Sequence, residues 1–377
     1  MDLIIAGDLM PTKSNFELFN IGDCNRLLGE ELLDIWNNQD IRIFNLEGPL
    51  SDKENPISKC GPNLIAPIST INGIKKLNPT LITLANNHIF DQGNYGLEST
   101  INLLKRYNIS YVGAGKNIEE AKNAFIFEQN DKKVGVYACA EHEFSIADEN
   151  KPGANPFDVL NSFDHISELK EKCDYIIILY HGGKENYRYP SPYLQRVCRK
   201  MVDKGADLII CQHSHCIGCY EKYNNSTIIY GQGNFIFDYS DNEYCQTSLL
   251  VKVRIYDKVQ IEYIPIIKKG NVIGLADSDV KKDILEDYEK RSKEIISEKF
   301  VSEKYDQFAE EILVNYLRKL SASGKWRNRI DRYLFRGNLI KRKYKKSNMM
   351  NIYNYIECES HRELLSRGLL YSTRRGD

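Results

Sequence analysis

Polar residues that can bind metal ions follow short apolar segments throughout the first 240 residues. Four of the seven histidines lie at such positions, together with two carboxylates and an amide: Asp8, Glu47, Asn87, His88, His181, His213 and His215. Carboxylate oxygen and imidazole nitrogen suit divalent ions such as Mn²⁺, Fe²⁺ and Zn²⁺. The pattern predicts a site for one or two such ions, with all of these residues except His88 as ligands. Two ions sharing a bridging carboxylate would activate water and stabilise an oxyanion.

A candidate acid–base pair is formed by His88 and Asp91, which are three residues apart. His88 would act as acid or base, and Asp91 would fix the tautomer of its ring. The alternative is structural, with Asp91 capping the N-terminus of a helix predicted from residue 95. The two roles are compatible. His181 is a third candidate catalytic residue besides being a candidate ligand.

Candidate substrate-binding residues lie in the loops beside these groups. The loop after His181 begins with two glycines, which allow the backbone to approach a ligand closely. Glu185 and Tyr187 follow in this loop and could meet an anionic substrate, with solvated loop charges as an equally weighted alternative. Asn45 and Asn234 complete the candidate set.

Three cysteines form a C-x4-C-x2-C pattern at Cys211, Cys216 and Cys219. Zinc or an iron–sulfur cluster could use such thiols, but a second ligand pair with finger-like spacing is missing nearby. We therefore favour structural thiols in a strand and the loop that follows it.

The candidate residues require a framework that brings distant strand ends together. Short apolar runs predict strands at residues 3–6, 41–45, 81–84, 110–112, 133–139, 175–180, 208–211 and 226–230. Apolar residues at helical spacing predict helices at residues 25–37, 95–107 and 192–204. This alternation implies βαβ units and a largely parallel sheet, with functional loops at the carboxyl ends of its strands. A hairpin is predicted at 125–128 and 134–138, turning at Asn130-Asp131.

The pattern changes after about residue 240. Residues 246–256 and 259–267 predict a strand pair that completes the sheet, and charged helices follow from residue 279. We therefore predict two parts, a domain over residues 1–270 that carries the site and a helical extension over residues 271–377.

A strongly basic segment lies within this extension. Residues 318–346 contain twelve basic residues and one acidic residue, whereas the other 348 residues contain 39 basic and 51 acidic residues. Aromatic residues interleave with the basic ones, which suits an anionic membrane surface or an acidic polymer. The alternative is a solvated helix whose aromatic side chains pack on the α/β domain. Nucleic acid is a distant third, because no recognised binding motif accompanies the charge.

The overall composition is that of a globular protein with a real core. The chain has 377 residues, of which 42% are hydrophobic and 27% charged, which excludes a disordered chain, a fibrous repeat and a disulfide mini-protein. The N-terminus lacks the basic region of a signal peptide, and no apolar run approaches the roughly 18 residues that span a bilayer. We expect reduced cysteines and a cytoplasmic location, with peripheral membrane contact through the basic segment as a further option.

Eight motifs occur in order over about residues 1–240, roughly two thirds of the chain. They are GDLM at 7–10, NLEGPL at 45–50, LANNHIFDQG at 84–93, GAG at 113–115, HGGKE at 181–185, GAD at 205–207, HSH at 213–215 and YGQGNFIFD at 230–238. Together they resemble the CapA-type poly-γ-glutamate capsule synthesis proteins, a branch of the calcineurin-like metallophosphatase fold. The resemblance implies an α/β sandwich of two mixed β-sheets flanked by helices, to which this chain adds a C-terminal helical extension.

The resemblance also implies roles for the strand-end residues. The first metal would be held by Asp8 and His215, and Glu47 would stand at the position of the bridging carboxylate. His88 would be the general acid. The second metal would be held by Asn87, His181 and His213.

Four positions depart from the expected pattern. Met10 replaces a histidine of the wider fold, and Asn45 with Glu47 stands where that fold normally has an aspartate. One metal position would therefore lack a strong ligand, which makes a single ion or weak binding an option. Gly182 and Ser214 replace a tryptophan and a proline that are usual in the capsule branch. Both changes alter the expected pocket wall and leave the substrate open.

The leading functional hypothesis is a capsule or exopolymer biosynthesis enzyme that works as a metal-dependent hydrolase. Its substrate would be a phosphoester or an amide-linked, glutamate-like polymer. One alternative is a metal-independent acid–base enzyme acting on a peptide, like an epimerase. The other is a non-catalytic binding or assembly factor for an acidic exopolymer.

Overall fold

Strands and helices alternate along most of the chain. The computed structural model describes residues 1–237, 241–256 and 258–374. Its strands are β1 Asp2–Leu9, β2 Ile41–Leu46, β3 Leu81–Thr83, β4 Ser110–Val112, β5 Ala114–Gly115, β6 Phe125–Gln129, β7 Lys132–Ala140, β8 Gly153–Ala154, β9 Tyr175–His181, β10 Leu208–Gln212, β11 Tyr220–Tyr223, β12 Ser226–Tyr230, β13 Thr247–Ile255, β14 Val259–Lys269 and β15 Val272–Leu275. Its helices are α1 Phe16–Ile21, α2 Cys24–Leu28, α3 Glu30–Asn37, α4 Ile71–Lys76, α5 Gly93–Arg106, α6 Ile118–Ala121, α7 Ser162–Lys170, α8 Pro192–Asp203, α9 Ser278–Glu294, α10 Glu298–Leu320, α11 Lys325–Tyr333, α12 Asn338–Lys343, α13 Lys346–Glu357 and α14 Glu359–Arg374.

The strands form two large mixed sheets. The first has the order β15-β14-β13-β1-β2-β3-β4, in which β1 to β4 run parallel and β13 to β15 are joined by antiparallel pairs. The second has the order β11-β12-β10-β9-β7-β6, with four parallel central strands and an antiparallel strand at each edge. Parallel strands end at the same edge of their sheet, so the loops after them can share a site.

The hydrophobic core lies between the two sheets and behind them. One cluster of buried residues includes Ile5 of the first sheet together with Val136 and Ile177 of the second, so the sheets face each other. Alternate residues of the second sheet, such as Ile178, pack instead with helices α7 and α8. On the first sheet, the ring of Trp36 from α3 stacks 5.0 Å from that of Phe235. The predicted sandwich flanked by helices is therefore confirmed.

Most predicted strands agree with the structure, including the hairpin and the late strand pair. Strands β6 and β7 pair in an antiparallel register around Asn130 and Asp131. Both turn residues have positive φ, of 54° and 58°, as a two-residue hairpin turn of type I′ requires. The prediction omitted β11 and β15, which are four-residue strands at sheet edges, where a short pattern is weak. It also omitted β5 and β8, two-residue strands that pair with each other.

The helix predicted at 25–37 is wrong as a single element. Gly29 has a φ of 75° and a ψ of 154°, so α2 ends there and α3 begins directly after it. The apolar spacing continued across the break and concealed it, because glycine alone adopts such a conformation without strain. The other two predicted helices correspond to α5 and α8.

The chain divides into two compact units, Met1–Ser302 and Glu303–Asp377. The predicted division after residue 270 stays a prediction. Helices α9 to α14 confirm the helical C-terminal extension. Among the described residues, none of the helices combines the length and the apolar character needed to cross a bilayer.

Candidate metal centre

The carboxyl ends of parallel strands from both sheets bring the predicted ligands together. Asp8 is the penultimate residue of β1, and Glu47 directly follows β2. His181 is the last residue of β9, and His213 directly follows β10. Asn87 lies in the loop after β3. These five strands contribute ligands because each lies in the parallel region of its sheet, as the sequence pattern predicts.

His181 lies at the centre of this group. Its Nε2 is 3.1 Å from Oδ1 of Asn87 and 3.6 Å from Oε1 of Glu47. Its Nδ1 is 3.8 Å from Oδ1 of Asp8. All four side chains are buried. Residues that are up to 173 positions apart in sequence therefore share one small polar volume.

Three residues lie close enough to hold a single ion. One ligand atom from each of Glu47, His213 and His215 lies within 4.8 Å of the other two. Both carboxylate oxygens of Glu47 and Nδ1 of His213 are buried and have no hydrogen-bond partner among the described residues. Buried polar atoms without partners are costly, and a cation bound between them would satisfy all three. The donor set therefore fits a divalent ion.

Burial and mutual charge shift the pKa values of these ligands in different directions. Burial raises the pKa of Glu47 well above its usual range, and the charge of Asp8 adds to this shift. Burial lowers the pKa of His213 to about 3, with a further contribution from His215. Burial alone would lower the pKa of His215, but Glu47 and Asp8 raise it to about 10. Without metal, His215 is therefore cationic, and it must lose a proton to become a ligand.

The pKa values of the other two ionisable groups, His181 and Asp8, are both lowered, but for different reasons. Burial lowers the pKa of His181 well below its usual value, so its ring is neutral. Burial would raise the pKa of Asp8, but the hydrogen bond and positive charge of His215, together with the hydrogen bond from Asn45, hold it below its usual value. The site thus keeps one ionised carboxylate, Asp8, and two neutral imidazoles, His181 and His213, available for a cation.

A strained turn presents the last two histidines. The backbone φ angle is 78° at His213 and 55° at His215. Residues other than glycine rarely adopt such values. Ser214 between them donates a hydrogen bond to the Cys216 carbonyl at 3.2 Å, and its own carbonyl accepts one from the Asn186 amide at 2.9 Å. Backbone strain of this kind persists where surrounding contacts enforce it, and it is common at functional sites.

The two asparagines predicted to bind substrate hold ligands in place. Asn45 is fully buried, and its amide nitrogen donates to Oδ1 of Asp8 at 2.8 Å while its oxygen accepts from Thr83 and Asn86. These hydrogen bonds show that Asn45 orients Asp8. The predicted substrate contact of Asn45 stays a prediction. The Asn234 oxygen lies 2.8 Å from Nδ1 of His215. Asn234 therefore orients the His215 ring. Nε2 of His215 then lies 3.9 Å from Oε1 of Glu47.

His88 and Asp91 form the predicted pair, with Nδ1 of His88 2.6 Å from Oδ2 of Asp91. The alternative role of Asp91 as a helix cap is wrong, because α5 begins after Gln92 and no side chain caps it. Asp91 instead also accepts hydrogen bonds from the Leu64 amide and the Lys59 ammonium. The Lys59 side chain is only 2% exposed. This fixed carboxylate holds Nδ1 and leaves Nε2 of His88 for proton transfer.

The two candidates in the loop after His181 differ in their surroundings. Glu185 is exposed, and its charge contributes to the raised pKa of Glu47, so it lies within electrostatic range of the centre. Tyr187 is buried, and its ring centroid lies 6.0 Å from that of Tyr189. The substrate-binding roles of both residues stay predictions.

Three residues at the centre were missed by the sequence reasoning. Asn86 donates to the Asn45 oxygen, Glu143 approaches Asn87 at 3.3 Å and His213 at 4.0 Å, and Lys59 pairs with Asp91. Glu143 follows β7, so the same strand-end rule would have found it. Lys59 had no such signal, because it lies in an irregular loop 32 residues before its partner.

The cysteine pattern does not form part of the centre. Cys211, Cys216 and Cys219 are buried, and burial raises the pKa of the latter two thiols. The candidate ion-binding group found among the described residues contains no cysteine. Packed structural thiols, as favoured from the sequence, agree with this arrangement.

The sequence motifs find their counterpart in a known family. Residues 2–239 match the family described as bacterial capsule synthesis protein PGA_cap. The chain belongs to this family. The PGA_cap match covers every predicted ligand, and the resemblance derived from the motifs is confirmed. The last residue of the 230–238 motif, Asp238, lies outside the described residues.

Two curated relatives are themselves members of capsule or polymer biosynthesis systems by name. The chain is 33% identical over 211 residues to the capsule biosynthesis protein CapA of Bacillus anthracis, which covers 53% of this chain and 51% of that protein. It is 33% identical over 172 residues to the PGA biosynthesis protein CapA of Bacillus subtilis, 44% of each chain. The PGA_cap chain thus spans about half the length of these relatives.

A solved structure shows a looser likeness. It is that of a novel phosphatase from Mycoplasma pneumoniae, with 17% identity and a TM-score of 0.45, covering 72% of this chain and 94% of that chain.

Met10, which replaces a histidine of the wider metallophosphatase pattern, adds no metal ligand to the PGA_cap chain. Its side chain is buried in the main hydrophobic cluster. A Cβ on Gly48 would lie 2.7 Å from its sulfur, so the loop after β2 packs directly on this methionine. The predicted loss of one ligand at this position agrees with an apolar wall there.

Proposed function

We propose that this chain is a metal-dependent hydrolase of the capsule synthesis family, with a divalent ion held by Glu47, His213 and His215. The observation that carries the proposal is the group of ligand atoms from Glu47, His213 and His215 that lie within 4.8 Å of one another. Within this group, both oxygens of Glu47 and Nδ1 of His213 are buried and have no hydrogen-bond partner among the described residues. The resemblance divided these ligands between two ions, whereas their geometry favours one ion at this position. Mn²⁺, Fe²⁺ and Zn²⁺ all suit the donor set.

The protein's own side chains would then bind, orient and exchange protons around a substrate. A divalent ion in this site supplies activation of water and stabilisation of an oxyanion. His88, whose Nδ1 is held by Asp91, would donate a proton from Nε2 to the leaving group. Asn45 and Asn234 keep Asp8 and His215 in position. Burial shields Asp8, Asn45 and Asp91 from bulk water, whereas His88, His215 and Asn234 are partly exposed.

The substrate class follows from the family and stays part of the proposal. The family and two relatives are named for capsule or PGA biosynthesis. We infer a phosphoester or a γ-glutamyl amide as the bond that is cleaved, in an acidic polymer or a peptide. An exposed carboxylate at Glu185 would disfavour a highly anionic group at that side of the centre.

We also infer that the protein works in the cytoplasm. All ten cysteines are free thiols in the structure. Sγ of Cys198 and Sγ of Cys211 are 3.7 Å apart without being bonded. A reducing compartment is where such neighbouring thiols persist.

Elemental analysis of the purified protein tests the metal site. We expect about one equivalent of Mn, Fe or Zn per chain, and its loss from a His213→Ala/His215→Ala variant. A His361→Ala variant, which removes an exposed histidine outside the centre, should keep the metal. A metal-free protein that stays metal-free after incubation with excess ion would overturn the proposal.

Turnover separates the proposed hydrolase from the two alternatives. Phosphoesters and γ-glutamyl amides would be screened with metal-loaded protein, with EDTA-treated protein and with His88→Ala. We expect EDTA to abolish hydrolysis and the substitution to slow it by roughly 10²–10⁴-fold. Activity on a peptide that EDTA leaves unchanged would favour acid–base chemistry. Binding of poly-γ-glutamate without cleavage would favour an assembly factor.

A further inference from the structure

Helix α11 carries an apolar stripe that stays exposed in the part of the chain that the structure describes. Trp326, Ile330 and Tyr333 are spaced by four and three residues and therefore share one side of the helix. The Trp326 side chain is 77% exposed and Tyr333 is 72% exposed. Leu334, directly after the helix, is also exposed. Large apolar side chains in such a row are unusual on a protein surface that meets only water.

Exposed cationic residues surround this stripe. Arg327, Arg329 and Arg332 of α11 and Arg336 after it are all exposed. Trp326, Arg329 and Arg332, with Asn328, line an open groove of about 500 Å³. An indole ring beside two guanidinium groups suits a phosphate-bearing headgroup, because arginine binds phosphate oxygens while the ring remains in apolar contact.

The single acidic residue of the basic segment does not reduce this surface charge. Asp331 is 1% exposed, and its Oδ2 accepts a hydrogen bond from Nε of Arg318 at 2.9 Å. Its Oδ1 accepts from the Leu339 amide at 2.9 Å. Asp331 therefore anchors α11 by its inward side. The outward side keeps its aromatic and basic residues without a neutralising carboxylate from the segment.

We propose that the basic segment, residues 318–346, docks on an anionic phospholipid surface. Trp and Tyr are the side chains that settle at the boundary between headgroups and acyl chains, and basic residues around them add attraction to anionic lipid. A soluble acidic polymer would satisfy the arginines but would leave the apolar stripe in water. The combination of both features on one side of α11 favours the membrane.

Vesicle sedimentation with the full chain tests this surface. Phosphatidylcholine vesicles with and without phosphatidylglycerol would be mixed with three variants. They are Arg327→Gln/Arg329→Gln/Arg332→Gln, Trp326→Ala/Tyr333→Ala and, as a control, Lys281→Gln/Lys282→Gln/Lys290→Gln, which removes the same charge from exposed positions of α9. We expect binding only to the anionic vesicles, and weaker binding at higher salt. The arginine variant should bind at least about tenfold more weakly, and the control should bind normally.

The aromatic variant and a fluorescence measurement separate lipid from other polyanions. The chain has two tryptophans, and Trp36 is buried, so brominated lipid should quench mainly Trp326. Circular dichroism would verify folding; if the arginine variant were unfolded, the aromatic variant would carry the test. The proposal is overturned by an absence of binding to anionic vesicles. It is also overturned if binding survives loss of both aromatic residues and is displaced by soluble poly-γ-glutamate, which would assign the surface to an acidic polymer.

Discussion

At the scale of single residues, Glu47 destabilises the folded protein without metal but is suited to binding a cation. Its carboxyl group is fully buried and has no hydrogen-bond partner among the described residues, so ionising it is unfavourable. Burial and the neighbouring Asp8 raise its pKa well above the usual value of 4.5. A bound cation would reverse this penalty. The same side chain should therefore destabilise the metal-free protein and stabilise the metal-bound one.

A Glu47→Gln variant tests this balance through its pH dependence. In the wild type the folded-state pKa exceeds the unfolded one, so above about pH 4.5 unfolding releases a proton and stability falls as pH rises. We expect the variant, in EDTA, to gain relative stability between pH 5 and pH 8, by at most about 1.4 kcal/mol per pH unit. Urea unfolding at several pH values would measure this difference.

The control and the metal-bound measurement complete this test. Glu98→Gln removes an exposed carboxylate of α5 that makes no contact with the centre among the described residues and should show no growing difference with pH. With excess metal, the sign should reverse, because the variant lacks an anionic ligand. A pH-independent difference between wild type and Glu47→Gln in EDTA would show that Glu47 ionises normally.

At the scale of elements, the centre depends on β1, whose first half pairs with β13 and whose end pairs with the loop after β12. Its register with β2 shifts between Ile5 and Asp8. Over Asp2–Ile5 it pairs with β13, but further on the Asp8 carbonyl accepts a hydrogen bond from the Phe235 amide at 2.8 Å. The loop after β12 thus lies beside the end of β1. This exchange places Asn234 next to the ligands Asp8 and His215.

A Gly7→Ala variant should disturb this exchange. A Cβ at residue 7 would collide with the carbonyl oxygen of Gly233. The carbonyl oxygen belongs to the backbone and cannot move aside as a flexible side chain would. We therefore expect a loss of about 1–3 kcal/mol in the free energy of unfolding and a lower metal content. Gly368→Ala is the matched control, since its Cβ meets no atom within 4 Å and lies in a helix. It should stabilise the protein by roughly 0.5–1 kcal/mol. Equal effects of the two substitutions would contradict this account of β1.

At the scale of the whole molecule, the near-neutral charge conceals two opposite parts. Residues 1–302 contain 34 basic and 43 acidic residues, whereas residues 303–377 contain 17 basic and 9 acidic residues. The net charges are −9 and +8. The first unit contains all predicted ligands and the three hydrophobic clusters. The second contains the exposed aromatic and arginine residues. Chemistry and surface attachment are therefore assigned to different units.

Residues 1–302 produced alone should separate these two properties. Because the main core lies within this unit, we expect the fragment to unfold cooperatively and to bind about the same amount of metal as the full chain. It should lose binding to anionic vesicles, because it lacks the basic segment and has a net negative charge. Metal analysis and sedimentation of the same preparation would measure both. Retention of vesicle binding by the fragment would contradict the division of roles.

Local chemistry made much of this protein predictable from the sequence. Apolar runs of strand length identified β9 and β10 because their side chains are buried on both faces. The polar residues that follow these strands must then emerge at one edge, as His181 and His213 do. The charge of residues 318–346 and its interleaved aromatic residues were visible for the same reason, since composition and short-range spacing contain this information.

The tertiary structure alone decided which polar groups meet and which remain without partners. Asn45 was a candidate for substrate binding, and only its neighbours in the structure showed that it orients Asp8, while Lys59 had no signal before it was seen beside Asp91. Likewise, only the structure shows that Asp331, the one acidic residue of residues 318–346, is buried against Arg318 and so leaves no carboxylate of this segment on the surface. Each outcome depends on sheet register or on a contact between separate elements. Such contacts are determined by the packing of the whole chain, and no local pattern of residues encodes them.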